Sequence, residues 1–147
     1  VSLDAVVQEV AQIIEPQLCA GGLRFEREFL APGVAVRGDR KALTGALLNL
    51  LENALQMTPR GGTVRLSGGV QGDVVSVRVT DTGPGMDPEV KSRVFEPFYT
   101  TRKEGTGLGL AIVRSVAQAH GGEVEVNSTL GQGSVFTIHL PIARKAA

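Results

Sequence analysis

The spacing of apolar residues predicts three helices and three pairs of strands. Apolar positions recur at helical spacing over residues 2–18, over 39–57 with Asp39 as the N-cap, and over 107–122. Period-2 alternation between turn residues predicts strands at 23–30, 34–38, 62–70, 73–81, 123–128 and 134–141. Strands and helices do not simply alternate, so we expect an α+β fold. It is a two-layer sandwich in which about three helices cover one face of a mixed, mostly antiparallel sheet.

The composition of the chain limits the classes of function that it could have. The chain has 147 residues, enough for one domain with a hydrophobic core, and its formal net charge is zero. A neutral chain gives no sign of a nucleic-acid-binding surface. Cys19 is the single cysteine, so no internal disulfide can form, which fits a reducing, cytoplasmic compartment. We expect Cys19 to be a small buried residue near the end of the first helix.

Two asparagines interrupt the long helix. Asn49 and Asn53 lie one turn apart in "NLLENALQMTP" (49–59), on the same helical face. Asparagine is a mediocre helix former, and a solvated face more commonly carries Lys or Glu. The pair therefore calls for a function other than helix stability.

An aspartate ends the strand at residues 73–81 on its apolar face. Alternation places Asp81 on the same side as Val75, Val77 and Val79. One interpretation is a strand-terminal turn former, because "DTGPG" is rich in turn residues. The other is a buried carboxylate that needs a donor, such as a ligand amine entering beneath the helices.

Two glycine clusters flank a segment of weak periodicity. "DTGPGM" (81–86) follows the strand, and "GTGLGL" (105–110) opens into the last helix, where glycines let backbone amides approach an anion. The second cluster matches neither the dinucleotide fingerprint nor the P-loop. Between the clusters, "FEPFYTTRKEG" (95–105) indicates an aromatic anchor followed by a cationic flap.

Four of these stretches resemble the motifs of one family. The segments 49–59, 81–86, 95–101 and 105–110 are similar, in order and spacing, to the N box, first glycine box, F box and second glycine box of sensor histidine kinases. That family belongs to the ATPase superfamily that also contains gyrase and the large heat-shock chaperones. The residues of these motifs are most similar to those of nitrogen-regulation-type two-component sensors. The resemblance covers essentially the whole chain and implies the Bergerat-type ATP-binding fold.

The resemblance also implies a function and site residues. The family binds ATP or ADP with magnesium and donates the γ-phosphoryl group to a histidine. By resemblance, Asn53 is a magnesium ligand, Asp81 accepts from the adenine amine, and Asn49 lies near the phosphates. Arg102 or Lys103 contacts the γ-phosphate, so the candidate catalytic residues are Asn49, Arg102 and Lys103. The further candidate nucleotide-binding residues are Gln56, Gly83, Gly85, Met86, Phe98, Thr101, Arg102, Gly105, Thr106, Gly107, Leu108, Gly109 and Leu110.

The chain departs from the family pattern at the phosphate end. The family often has Lys or Arg at the position of Gln56, and the flap lysine after "TT" is replaced by Arg102 with Lys103 beside it. Which of these two cations contacts the γ-phosphate stays open. Glu52 lies on the same polar stripe, where a solvated helix charge is as good an interpretation as a catalytic role.

The two histidines do not resemble the family's phosphoacceptor. His120 ends a helix, where we expect a capping role, and His139 lies in the last strand. We therefore expect residues 1–147 to be a single, monomeric catalytic ATP-binding domain, with the dimerisation/phosphoacceptor and sensor domains absent. Its partner would be the phosphoacceptor domain of its own homodimeric parent kinase and, indirectly, a response regulator. Membrane anchoring of the parent stays open.

Two alternatives share this fold. One is a regulatory module that senses nucleotide without transferring phosphate, and the other is a serine kinase that inactivates a sigma-factor partner. Intact N-box amides and Asp81 favour the histidine kinase over the sensing module.

Overall fold

The computed structural model describes residues 1–28, 34–96 and 109–143, and within them five strands form one sheet packed with four helices. In chain order the elements are α1 (Leu3–Ala20), β1 (Arg24–Arg27), α2 (Arg40–Met57), β2 (Thr63–Gln71), β3 (Val74–Asp81), α3 (Pro88–Arg93), α4 (Gly109–Ala119), β4 (Glu123–Ser128) and β5 (Ser134–Pro141).

The sheet has the strand order β1-β2-β3-β5-β4. β1 pairs with β2 in parallel, and every other neighbouring pair is antiparallel. The predicted α+β fold with a mixed, mostly antiparallel sheet is therefore confirmed. Because β5 inserts between β3 and β4, Ser134 at the start of β5 lies opposite Asp81 at the end of β3.

The core lies between one face of the sheet and the helices. Alternation along β3 buries Val75, Val77, Val79 and Asp81, as predicted. The buried residues of α2 are Leu43, Ala46, Leu47, Leu50, Leu51 and Ala54. The α2 N-cap is also confirmed, because the Asp39 side chain accepts hydrogen bonds from the backbone of Lys41 at 2.9 Å and Ala42 at 3.4 Å.

Three local expectations were wrong. Cys19 is exposed, because it follows the fully buried Leu18 and one residue turns the helix by about 100°. Residues 34–38 form only an isolated bridge, between Ala35 and Ser2. The stretch between the glycine clusters contains α3, whose N-cap Asp87 accepts from the backbone of Val90 at 2.8 Å. Six residues are too few for helical periodicity to be visible in sequence, although Asp-Pro at its start is a typical N-terminal signal.

Within the described ranges, none of the helices is long and apolar enough to span a lipid bilayer.

Candidate functional site

Asp81 is a buried carboxylate at the end of β3. Only 3% of the residue is exposed. Its Oδ1 accepts a hydrogen bond from the Gly83 backbone at 2.9 Å. Burial raises the pKa of the carboxyl above its ordinary value, although hydrogen bonds with the Gly83 and Ser134 backbone act in the opposite direction. The backbone therefore satisfies the group only in part, and a further donor would stabilise its charged form.

The glycines after Asp81 let the chain turn closely against its neighbours. A Cβ on Gly83 would lie 2.5 Å from the carbonyl oxygen of Met57, so this loop touches the last turn of α2. Gly85 has a φ of 73°, in the left-handed region, and a Cβ there would lie 2.1 Å from the carbonyl oxygen of Thr129. Met86, which follows, is buried. Glycine is thus required at both positions by close backbone approach.

Asn49 lies where α2 contacts the start of α4, and Asn53 follows one turn later on α2. Asn49 Nδ2 donates to the carbonyl of Gly109 at 3.4 Å, and no described residue donates a hydrogen bond to its Oδ1. Asn53, one turn later, is half-buried, and no hydrogen bond to another described residue engages its amide. Leu110, the second residue of α4, is half-buried against the core. The structure therefore brings Asn49 against Gly109, with Asn53 one turn further along α2 and Leu110 next in α4.

A groove of about 460 Å³ opens beside the loop that follows Asp81. It is lined by the end of α2, this loop and the β4–β5 turn, with wall residues Gln56, Met57, Thr58, Pro59, Thr82, Gly83, Pro84 and Gly131. Only Gln56 and Gly83 among these were predicted site residues. The Thr58 hydroxyl is buried and has no hydrogen-bond partner in the described part of the chain.

The other predicted residues that the structure describes do not line this groove. Asn49 precedes Gln56 by seven residues, which corresponds to about 10 Å along the helix axis. Asp81 is not a wall residue, although it contacts Gly83, which is. The predicted residues that the structure describes thus lie in three places: Asp81 and the loop after it, α2 between Asn49 and Gln56, and the start of α4.

Eight of the 17 predicted site residues are not described by the structure. Phe98, Thr101, Arg102, Lys103, Gly105, Thr106, Gly107 and Leu108 lie outside the described residues. The structure adds the β4–β5 turn, which the sequence indicated only as a hairpin connection. Its glycines at 131 and 133 were the available signal. Both have positive φ; Gly131 donates its backbone amide to the carbonyl of Pro84, and Gly133 lies close to the carbonyl of Asp81.

Both histidines are engaged away from these residues. His120 Nε2 accepts from the Asp39 backbone at 3.0 Å, and its Nδ1 lies 2.7 Å from the carbonyl of Val116 in the last turn of α4. The predicted helix-end role of His120 is therefore confirmed. His139, in β5, lies 2.8 Å from both Ser76 Oγ and Glu125 Oε1 on the outer sheet face.

Comparison with known proteins identifies the family. A family model described as histidine kinase-, DNA gyrase B- and HSP90-like ATPase matches residues 38–144, which include α2 and all of the sheet except β1. The chain belongs to this family. As an ATPase domain of the histidine kinase type, it shares 39% identity over 142 residues with the histidine protein kinase DivJ of Caulobacter vibrioides, covering 92% of this chain and 24% of DivJ. With the sensor histidine kinase ZraS of Escherichia coli K12 it shares 40% identity over 120 residues, covering 82% of this chain and 25% of ZraS. The chain thus spans about a quarter of the length of these relatives.

Solved histidine kinases share the fold of this ATPase domain. The mycobacterial sensor histidine kinase MprB superposes with a TM-score of 0.87 at 30% identity, covering 99% of both chains. Full-length ShkA in complex with AMPPNP superposes with a TM-score of 0.85 at 35% identity, covering 100% of this chain and 31% of ShkA. The catalytic-domain fold of histidine kinases is therefore the fold of this chain.

Proposed function

We propose that this ATPase domain binds Mg-ATP and donates the γ-phosphoryl group to a histidine on the dimerisation domain of a two-component sensor kinase. The observation that carries the proposal is the buried carboxylate of Asp81, which is 3% exposed in a chain of the histidine kinase family. It hydrogen-bonds with Gly83, which lines the groove. A buried carboxylate with a raised pKa needs a donor, and an adenine amine would supply one.

The adenine end of the site comprises Asp81 and the loop after it. Gly83 donates its backbone amide to Asp81 Oδ1, and the Ser134 backbone also hydrogen-bonds with the carboxylate, so both hold the group in place. Each carboxylate oxygen has two lone pairs, and the remaining acceptor capacity would receive the ligand amine. Gly85 and Met86 continue the loop, and Met86 presents a buried apolar side chain suited to the base. Adenine is distinguished from guanine here because Asp81 accepts a hydrogen bond, and the 6-oxo group of guanine cannot donate one.

The phosphate end comprises α2 and the start of α4. The residues fit a magnesium ion bound with phosphates, because the Asn53 amide is half-buried without a hydrogen bond to a described residue and amide oxygen is a hard ligand. Asn53 would hold the metal. The Oδ1 of Asn49 would accept a hydrogen bond from a water bound near the phosphates. When bound, the ion neutralises phosphate charge.

The protein's own part in the reaction is positioning. Asp81 fixes the base, Asn49 and Asn53 orient the phosphates, and Gly109 and Leu110 begin the helix whose N-terminal amides face the anion. Among the residues outside the described ranges, Arg102 or Lys103 would stabilise charge on the transferred group. No general base is required from this domain, because the attacking imidazole comes from the acceptor domain.

The acceptor histidine must be supplied by another domain. Both ring nitrogens of His120 contact backbone groups of α2 and α4, and both nitrogens of His139 contact side chains on the outer sheet face. His120 lies at the C-terminal end of α4 and His139 lies within β5, so neither ring lies at the contact between Asn49 and Gly109, where α4 begins. This supports the interpretation of residues 1–147 as one catalytic domain that acts on the phosphoacceptor domain of its parent homodimer.

Calorimetry with nucleotides tests the proposal. We expect ATP and ADP to bind with micromolar-range affinity and GTP to bind at least about 100-fold more weakly, because one charge-assisted hydrogen bond is lost and a carbonyl faces a carboxylate. Magnesium should strengthen ATP binding. Equal affinities for ATP and GTP would contradict the assignment of Asp81 to adenine.

A further inference from the structure

The β4–β5 turn lies directly against the loop that follows Asp81. Gly131 donates its backbone amide to the carbonyl of Pro84 at 2.7 Å. Met86 donates its backbone amide to Ser128 Oγ at 2.8 Å. Between these two bonds, a Cβ on Gly85 would lie 2.1 Å from the carbonyl oxygen of Thr129. The loop and the turn are therefore in contact from Pro84 to Met86, so a shift of the loop there would break contacts with the turn.

Ser128 supplies the side chain that joins them. Its Oγ accepts from Met86, lies 3.0 Å from the carbonyl of Gly133 and lies 2.8 Å from Ser134 Oγ. A hydroxyl has one proton and two acceptor lone pairs. One arrangement satisfies all three contacts: Ser128 donates to Gly133, and it accepts from Met86 and from the Ser134 hydroxyl. The hydroxyl is then fully used within the protein, with no capacity left for a ligand.

The same hydroxyl reaches the other end of the loop. Ser134 is the cross-strand partner of Asp81. Gly133, beside it, has a φ of 81°, and a Cβ there would lie 2.1 Å from the carbonyl oxygen of Asp81. Ser128 thus connects Met86, at the end of the loop, to the strand residues that flank Asp81, at its beginning. One side chain fixes both ends of the segment 81–86.

We propose that Ser128 is a positioning residue for nucleotide binding: it touches no ligand and holds the segment 81–86 in the conformation that receives the base. This inference rests on the proposed function, because it assumes that the base binds at Asp81. Without the hydroxyl, the Met86 amide loses its acceptor and the loop can separate from the turn. We expect the Kd for ADP to rise about 5- to 30-fold, the effect of one or two lost hydrogen bonds.

The test compares Ser128→Thr with Ser128→Val, which have the same shape and differ only in the hydroxyl. Both are compatible with a strand position. Calorimetry should give an ADP Kd within about threefold of wild type for Thr and raised about 5- to 30-fold for Val. Ser67→Ala is the control, because Ser67 lies in β2 and its hydroxyl makes no hydrogen bond to another described residue; it should leave the Kd within about twofold.

Hydrogen exchange at the Met86 amide gives a second readout. In the wild-type protein without nucleotide, this amide should be protected, and the protection should fall in Ser128→Val and persist in Ser128→Thr. A Kd for Ser128→Val within about threefold of wild type would overturn the proposal, and so would an unprotected Met86 amide in the wild type. If the wild-type protein fails to bind ADP, the proposed function is wrong, while the exchange measurement still decides whether Ser128 fixes the loop.

Discussion

Replacing Asp81 by asparagine separates what the buried carboxylate does for the fold from what it does for the ligand. The substitution preserves shape, and the asparagine oxygen can still accept from the Gly83 backbone. It replaces the second acceptor oxygen by an NH₂ group that would face the adenine amine, donor against donor. A charge-assisted hydrogen bond contributes about 1.5–3 kcal/mol, and the opposed donors add to its loss. We therefore expect the Kd for ADP to rise at least about 100-fold, or about 2.7 kcal/mol.

The stability of the same variant should change little, or increase. Burial raises the pKa of Asp81 above its unfolded value of about 3.8, so the folded protein binds the proton more tightly than the unfolded chain does. The free energy of unfolding therefore falls as the pH rises through the unfolded pKa to the folded pKa. Asparagine does not titrate, so the variant does not lose unfolding free energy over this pH range through residue 81. At pH 7 we expect an unfolding free energy within about 1 kcal/mol of wild type or above it.

Two assays check these expectations together. Calorimetry measures ADP affinity, and urea denaturation at pH 3 and pH 7 measures stability. The unfolding free energy of Asp81→Asn minus that of wild type should be larger at pH 7 than at pH 3. Asp39→Asn is a matched control, because asparagine caps helices as well as aspartate does and Asp39 lies far along α2 from the loop. An unchanged ADP Kd in Asp81→Asn would refute the adenine assignment. A variant destabilised by more than about 2 kcal/mol at pH 7 would refute the account of burial.

Three further changes test the rest of the site. Asn53→Ala should weaken ATP binding with magnesium more than ADP binding without it, because it removes a metal oxygen; equal losses in calorimetry would make Asn53 structural. Gly85→Ala should lower the unfolding free energy by about 2–3 kcal/mol in urea, since it adds left-handed strain and a backbone clash, whereas Gly69→Ala, with open space at its Cβ, should be neutral. Removing the cation that contacts the γ-phosphate, by Arg102→Ala or Lys103→Ala, should reduce phosphoryl transfer about 10-fold or more while ADP affinity changes little; two variants with wild-type transfer rates would exclude both residues.

Sequence patterns predicted the fold because the spacing of apolar residues shows which face of each helix and strand is buried. The alternation along β3 placed Asp81 with three valines on the core face, and the structure buries all four. The apolar stripe and Asp39 cap predicted α2 almost to the residue. The failures have local causes. Residues 34–38 alternate like a strand, yet they form only the isolated bridge between Ala35 and Ser2, because the segment that they pair with becomes helical at Leu3.

The candidate site was predictable where one motif sufficed. Asn49 and Asn53 follow from helical spacing, and Gly83 and Gly85 follow from the glycine cluster that Asp81 begins. The β4–β5 turn was not predictable as part of the site, because its contacts join residues more than 40 positions apart, as between Met86 and Ser128. Periodicity describes which face of an element is buried, and it carries no information about which turn packs on which loop.

The central claim is that this domain donates phosphate to a histidine on another domain, and phosphoryl transfer measures it directly. The chain is incubated with magnesium and γ-labelled ATP, alone and with the separately purified phosphoacceptor domain of its parent kinase. Alone, it should form no stable phosphohistidine, because His120 and His139 are engaged in their own elements. With the acceptor domain, label should appear on that domain, and it should vanish when the acceptor histidine is replaced by glutamine. The rate should be slow at low concentration, because separate domains lack the effective concentration of a single chain. Label on His120 or His139, or no label on an intact acceptor histidine, would contradict the account.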